Sequence, residues 1–185
     1  MIEARPVSNE RELEQILALQ RENLARSLSP DEVASQGFVT VEHTLEILRK
    51  MHALEPSIIA TDGNELAGYA LVMPVECRAF LPVLEPMFAR FEKLGLGREQ
   101  FYVMGQICVG PAWRGKGVFD VLYQAHRTRF RVRYTSTITE VATRNTRSMR
   151  AHARVGFEVI DRYGDATDEW AIIRWDWSLP TDAYR

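Results

Sequence analysis

The chain reads as an α/β (α+β) fold: a mixed, mostly antiparallel central sheet of about six to seven strands flanked by helices, in one domain over residues 1–185. Three observations carry that reading. Residues 101–119, FYVMGQICVGPAWRGKGVF, are a β-branched and aromatic run that breaks at Gly110-Pro111 and passes through a glycine-rich turn into a helix. Residues 137–157, TITEVATRNTRSMRAHARVGF, repeat the order of strand, turn and helix, and close on a glycine of the kind that ends helices. Between two further strand-like runs, Asp62-Gly63-Asn64 has the composition of a hairpin turn.

Taken in order, Ile2 to Val7 forms a first strand, and Ser8 or Asn9 can cap a helix carrying Leu13, Ile16, Leu17 and Gln20 at helical spacing. A polar stretch with Ser29-Pro30 follows. A second helix runs from Val41 to Ala53, with Leu45 and Leu48 on one face. Ser57–Thr61 and Glu65–Met73 make the hairpin. The segment from Pro74 to Gly97 contains three prolines and a helix around Pro86 to Leu94. The strand that starts near Phe101 ends at Val109, and the helix after it buries Val118, Val121, Leu122 and Ala125. The next strand ends at Thr143, Asn145 caps a helix that stops at Gly156, and Phe157 opens the following strand. Glu158–Tyr163 and Glu169–Trp177 complete the sheet as an antiparallel pair, on which Trp175 and Trp177 share a face and read as core or as a dimer contact in preference to a substrate cage.

At 185 residues, 46% hydrophobic and 26% charged, the chain has the makings of one globular domain. A net charge of -2 gives no reason to expect nucleic acid or an acidic membrane surface as a partner. The arginines at 127, 129, 131 and 133, with those at 144, 147, 150 and 154, read as solvated helix surface, since the first four do not form one helical face. No apolar run is long enough to span a bilayer, and the N-terminus is charged from its third residue, which argues against a signal peptide. Cys77 and Cys108 lack metal-ligand spacing; a reduced, cytoplasmic setting without metal is the expectation.

A strand, a glycine-rich turn and a helix N-terminus together form an anion site from backbone N–H groups and the positive helix end. A Walker-type phosphate loop needs Ser or Thr after its lysine, and Lys116 is followed by Gly117, so that reading fails. A dinucleotide fingerprint needs a third glycine, which is absent at the required spacing. Read alone, the loop is also compatible with an ordinary strand-to-helix connection. Val109, Pro111 and Arg114-x-x-Gly117, however, resemble motif A of the GNAT (general N-acetyltransferase) superfamily. The second stretch, with Asn145 before its helix and Gly156-Phe157 after it, resembles motif B.

The resemblance covers roughly Ile2 to Trp177 and is specific from Tyr102 to Phe157. It implies a sheet splayed between its fourth and fifth strands, acetyl-CoA as co-substrate, and transfer of its acetyl group to a primary amine, on a small molecule or a peptide, by direct attack through a tetrahedral intermediate. It implies cofactor contacts from the backbone of Ile107 and Val109, from the loop residues Arg114, Gly115, Lys116, Gly117 and Val118, and from Asn145 and Ser148, with one or two of the arginines from 127 to 154 available to the cofactor's 3′-phosphate. His152 falls where the family usually has a tyrosine that protonates the departing thiolate. Asn145, Ser148 and His152, three then four residues apart, share one helical face.

Three points depart from the family pattern or stay open. Phe119 stands where the family has Gly or Ala, so its ring must turn toward the core or the adenine. No carboxylate lies on the strand from Tyr102 to Val109. Glu140 on the neighbouring strand is the nearest carboxylate, but such residues more often face solvent, and a water relay to backbone or to Tyr102 would serve as well, so the base is left unassigned. Acceptor-site expectations fall on residues 26–38, on the apolar residues Phe80, Leu81, Val83, Leu84, Met87 and Phe88 of 74–97, and on 164–168. Those apolar residues would equally make a lid or a homodimer surface. A non-catalytic acyl-CoA-binding sensor or scaffold of the same fold is the alternative.

Overall fold

A computed structural model describes residues 1–178; the remainder of the expected domain, 179–185, lies outside the described residues. Its strands are β1 (Ile2–Pro6), β2 (Ile58–Asp62), β3 (Glu65–Met73), β4 (Phe101–Val109), β5 (Ser136–Ala142), β6 (Glu158–Gly164) and β7 (Glu169–Asp176). Its α-helices are α1 (Glu10–Asn23), α2 (Pro30–Gln36), α3 (Leu45–Leu54), α4 (Glu85–Lys93), α5 (Val118–Phe130) and α6 (Thr146–Val155). The strands form one sheet in the order β1-β2-β3-β4-β5-β7-β6. Every neighbouring pair is antiparallel except β4 and β5.

That exception shapes the molecule. Parallel pairing of β4 with β5 is confined to Phe101, Val103 and the residue between them, against Ser136 to Ile138. Beyond Val103 the strands part, while β4 continues along β3 as far as Val109 and β5 along β7 as far as Ala142. The expected splay is therefore present. In the β3–β4 pair, Leu71 faces Gln106 and Val72 faces Met104, so Gly105 is the extra residue of a β-bulge.

Two apolar layers hold the sheet. On one face Leu13, Ile16 and Leu17 of α1, Leu48 and Met51 of α3, and Met87, Phe88 and Phe91 of α4 pack on Tyr69, Leu71, Val103 and Ile138. On the other, Val118, Leu122, Tyr123 and Phe130 of α5 pack with Ala70, Tyr102, Val141, Phe157 and Trp175. β3 is covered on both sides, which is why Ala67 to Met73 read as a nearly unbroken apolar run. Trp175 is buried and Trp177 packs beside it, as expected of core residues.

The sequence reading holds for the hairpin, for α1 with Asn9 as its cap, and for α6 between Asn145 and Gly156. Three segments differ. The polar stretch at Ser29-Pro30 is the start of helix α2, closed by a capping box between Ser29 and Glu32. Its polar composition hid it. The helix expected from Val41 begins at Leu45, because the Thr44 side chain accepts the Ile47 N–H and caps it there. In residues 74–97, Leu81, Leu84, Met87 and Phe88 belong to the core and do not line an acceptor pocket. That segment is tied down by Arg90 to Asp161 on β6 and by Arg78 to Glu85 and Glu92.

Gly68 sets how closely α5 approaches the sheet. A Cβ there would lie 2.8 Å from the Cys108 carbonyl oxygen, 3.1 Å from Val118 Cγ1 and 3.4 Å from Leu122 Cδ1. Gly68→Ala must therefore push α5 off the sheet or distort the β3–β4 ladder. We expect a loss of about 1–3 kcal/mol in urea unfolding; an unchanged midpoint would show that the packing yields more easily than the distances imply.

Candidate functional site

The parted strands open into a cavity of about 520 Å³ whose walls include Ile107, Val109, Arg114, Gly115, Gly117, Val118, Asn145 and Ser148. Gly110 N–H bonds the Ala67 carbonyl on β3, and successive strand residues alternate in direction, so the backbone groups of Ile107 and Val109 face the open side. Consistently, Arg114 Nε reaches the Val109 carbonyl at 3.4 Å.

Between β4 and α5 the chain makes one 3-10 turn and then passes through Gly115 and Gly117, both with φ near the left-handed value (75° and 78°), where any side chain would be strained. The Arg114 and Lys116 N–H groups turn back onto the Pro111 and Trp113 carbonyls. The N–H groups of Gly115, Gly117 and Val118 meet no acceptor among the described residues, and they stand at the N-terminus of α5. Lys116, grouped with this loop by sequence, is exposed and does not line the cavity.

The cavity wall is cationic. Arg114 donates to Asn23 Oδ1 at 2.5 Å, and Arg147 to the Ser35 carbonyl and to Gln36 Oε1; these acceptors are neutral, and Arg114 also feels the more distant charge of Glu32. Arg150 has no partner among the described residues, and Arg154 is balanced by Asp120. Field lines in such a cavity favour a polyanion.

Asn145 does two structural jobs. Its Oδ1 accepts the Ser148 N–H and caps α6, and its Nδ2 donates to the Phe38 carbonyl at 3.1 Å. Arg144 lies over the Phe38 ring, 4.5 Å from its centre. Residues 36–41 thus form a strap from α2 across the start of α6. Gly37 passes so near that a Cβ would sit 3.1 Å from Asn145 Oδ1. Further along, Gln106 Nε2 holds the Val41 carbonyl at 2.8 Å, and Gln106 Oε1 accepts from Gln20 and from the buried Tyr69 hydroxyl.

A second, smaller cavity continues the gap, lined by Val41, Gln106, Thr139, Glu140, Trp170 and His152, among others. Phe38, Val39, Ile107, Asn145 and Ser148 line both spaces, which marks where they meet. Glu140, which the sequence alone assigned more readily to a solvent-facing position, is drawn into this wall. Burial, aided by the charge of Asp165, lifts its pKa to about 7 even though the Tyr163 hydroxyl donates to it. A carboxyl group titrating there is suited to taking up a proton at neutral pH.

His152 is buried at the base of the same cavity, and burial lowers its pKa to about 4, so the ring is neutral. Its Nδ1 lies 2.8 Å from the Ser148 carbonyl, which can only accept, so the ring hydrogen is assigned to Nδ1. Nε2 then accepts the Tyr123 hydroxyl at 2.6 Å. Both nitrogens are committed, and in this arrangement no imidazole N–H turns to the gap. The Ser148 hydroxyl, 3.2 Å from Nδ1, belongs to a residue that borders both cavities, as Asn145 does. The Phe119 ring, whose direction the sequence left between core and adenine, is half-buried: it packs against Tyr123 and His152 and also lines the larger cavity. Tyr102, offered above as a relay, is fully buried against α5 with its hydroxyl on His126 and cannot reach the gap.

Comparison with known proteins came to the same family. The sequence profile of the acetyltransferase (GNAT) family matches residues 20–157. No curated protein sequence matches the chain. Among solved structures, the ribosomal-protein-S18-alanine N-acetyltransferase of Escherichia coli superposes with a TM-score of 0.67 at 12% identity, over 98% of this chain and 97% of that one. An N-acetyltransferase from Staphylococcus aureus gives 0.62 at 17%, over 96% and 99%. The yncA protein of Salmonella typhimurium, solved with its cofactor acetyl-CoA, gives 0.64 at 14%, over 98% and 96%. At these identities the structural matches establish a shared fold.

The buried histidines make stability depend on pH. Burial lowers the pKa of His43 and His152 to about 4 and that of His126 to about 3, from 6.5, whereas Glu140 is raised from 4.5. Between pH 6.5 and 4.5, unfolding lets the three rings take up protons while Glu140 gives one up. The net uptake of at most about two protons destabilises the fold on acidification, by up to about 2.7 kcal/mol per pH unit. Urea midpoints measured across that window test this; a flat or rising profile toward acid would contradict three neutral, buried rings.

Proposed function

Because the chain belongs to the acetyltransferase (GNAT) family, we propose that it is an N-acetyltransferase that moves the acetyl group of acetyl-CoA to a primary amine on a small molecule or a peptide. The observation that carries this reading is the gap between β4 and β5, which joins an open strand edge and unpaired loop amides to an inner cavity holding Glu140. Acetyl-CoA brings the acyl group as a thioester; attack by a neutral amine forms the C–N bond through a tetrahedral intermediate, and rupture of the C–S bond releases the thiol.

In this reading the N–H groups of Gly115, Gly117 and Val118 receive the pyrophosphate, with the Arg114 charge beside them. The free backbone groups of Ile107 and Val109 pair with the pantetheine amides as an added strand would. Ser148 presents its hydroxyl to the passage, and Asn145 shapes that passage through the strap. Glu140 accepts the amine proton, directly or through one water, with Tyr163 holding the carboxylate in place. His152 steadies Ser148 through the backbone carbonyl of that residue, and the Ser148 O–H is the group that would donate to the departing sulfur. Two fold relatives support the chemistry: the Salmonella protein has acetyl-CoA as its cofactor, and the Escherichia coli protein is the ribosomal-protein-S18-alanine N-acetyltransferase. A non-catalytic acyl-CoA-binding module would need the same cavity but no base, and the carboxyl group poised near neutrality favours catalysis.

Two results check the assignment. Glu140→Gln should lower kcat/KM by about 10²–10⁴-fold with the acetyl-CoA Kd unchanged. With the wild type, the rate should fall as pH drops through about 7, because a protonated Glu140 cannot accept. A pH-independent rate, or a Gln variant of full activity, would move the base elsewhere. Separately, Gly117→Glu places a carboxylate among the loop amides and should abolish calorimetric binding of acetyl-CoA while far-ultraviolet circular dichroism stays unchanged; retained binding would remove the loop from the site.

A further inference from the structure

Resting on the acetyl-CoA reading above, we infer that Arg150 recognises the 3′-phosphomonoester of the CoA ribose, so that the protein discriminates CoA from 3′-dephospho-CoA. The larger cavity holds more positive charge than one anionic group requires. Of its arginines, Arg114 is engaged with Asn23 and the Val109 carbonyl beside the loop, and Arg147 with residues 35 and 36 of the α2 segment. Arg154 is neutralised by both carboxylate oxygens of Asp120, at 3.0 and 3.1 Å. Arg150 alone among these four has no hydrogen-bond or ionic partner among the described residues, yet it lines the cavity and is exposed at its rim.

Its place along α6 separates it from the pyrophosphate position. Arg147, Arg150, Ala151 and Arg154 lie on the cavity side of the helix, as offsets of three and four require. The N-terminal end of that face, Asn145 and Ser148, borders the gap where the acyl arm would lie. The C-terminal end reaches α5 through the Arg154–Asp120 pair. Arg150 stands between them, on the wall formed by α6, whereas the unpaired amides of Gly115, Gly117 and Val118 belong to the wall formed by the loop and α5. Two anion positions on two walls suit a ligand with two separated phosphate groups. CoA carries the pyrophosphate and the ribose 3′-phosphate, and a guanidinium fork matches the latter in two parallel hydrogen bonds.

The test is calorimetric titration of wild type, Arg150→Gln and, as a charge control, Arg131→Gln, each with CoA and with 3′-dephospho-CoA. The inference requires wild type to bind CoA about 10- to 100-fold tighter than the dephospho form, the worth of a hydrogen-bonded charge pair. It also requires Arg150→Gln to erase that ratio by weakening CoA alone, while Arg131→Gln preserves it. Equal affinity of wild type for the two ligands overturns the assignment and leaves the acetyl-CoA reading intact. So does an Arg150→Gln loss shared by both ligands, which would place Arg150 on the pyrophosphate. Failure of wild type to bind either ligand overturns both readings together.

Discussion

Parallel pairing between β4 and β5 stops at Val103 and Ile138, and the features of the site depend on its staying stopped. Two strands that part inside a domain leave backbone donors and acceptors without partners, each costing about 1–3 kcal/mol when kept from water. The gap is held open from both sides. β4 is laddered to β3 as far as Val109 and β5 to β7 as far as Ala142, so neither can swing across without breaking an antiparallel ladder. The strap at 36–41 adds a third restraint: Asn145 holds the Phe38 carbonyl and Gln106 holds that of Val41. An open edge of this kind is ready to accept an extended polar chain in place of a strand.

The gap also sorts its charges. Toward the loop the wall carries guanidinium groups that meet mostly neutral acceptors, and three residues of the same wall have backbone N–H groups with no acceptor among the described residues. At the inner end the ionisable groups are a carboxyl raised toward neutrality and a neutral imidazole. Both shifts have burial as their main cause, and burial disfavours charge of either sign. The inner end is thus a region where a neutral amine is favoured and a proton acceptor is available. The outer end suits a polyanion. On the proposed reading, one passage would serve two chemically different ligands without placing their binding groups in conflict.

Much of this was legible in the residues. The strand, glycine turn and helix at 101–119 and the Asn145-to-Gly156 helix are local signals, set by β-branched runs, caps and positive-φ glycines. The site residues that misled were those whose role depends on what packs against them. Glu140 looked like a surface strand residue until Tyr163 and Trp170 closed over it. Tyr102 looked available and is buried beneath α5. His152 was placed on the correct helix face, but its partner Tyr123 lies 29 positions away on another helix, and no spacing rule connects them. α2 escaped notice because its residues are polar, although the Ser29 and Glu32 capping box was there to be read.

The sequence by itself determined the family, the order of the strands, and the place of the glycine-rich turn between β4 and α5. Those depend on backbone conformations that a few neighbouring residues dictate. Only the tertiary structure decided which ionisable groups lose water, where the hydrogen of His152 sits, and which arginine of the cavity is left without a partner. Protonation and pairing depend on the dielectric and on groups brought together from distant parts of the chain. Desolvation is a property of the assembled fold, and no short stretch of residues encodes it.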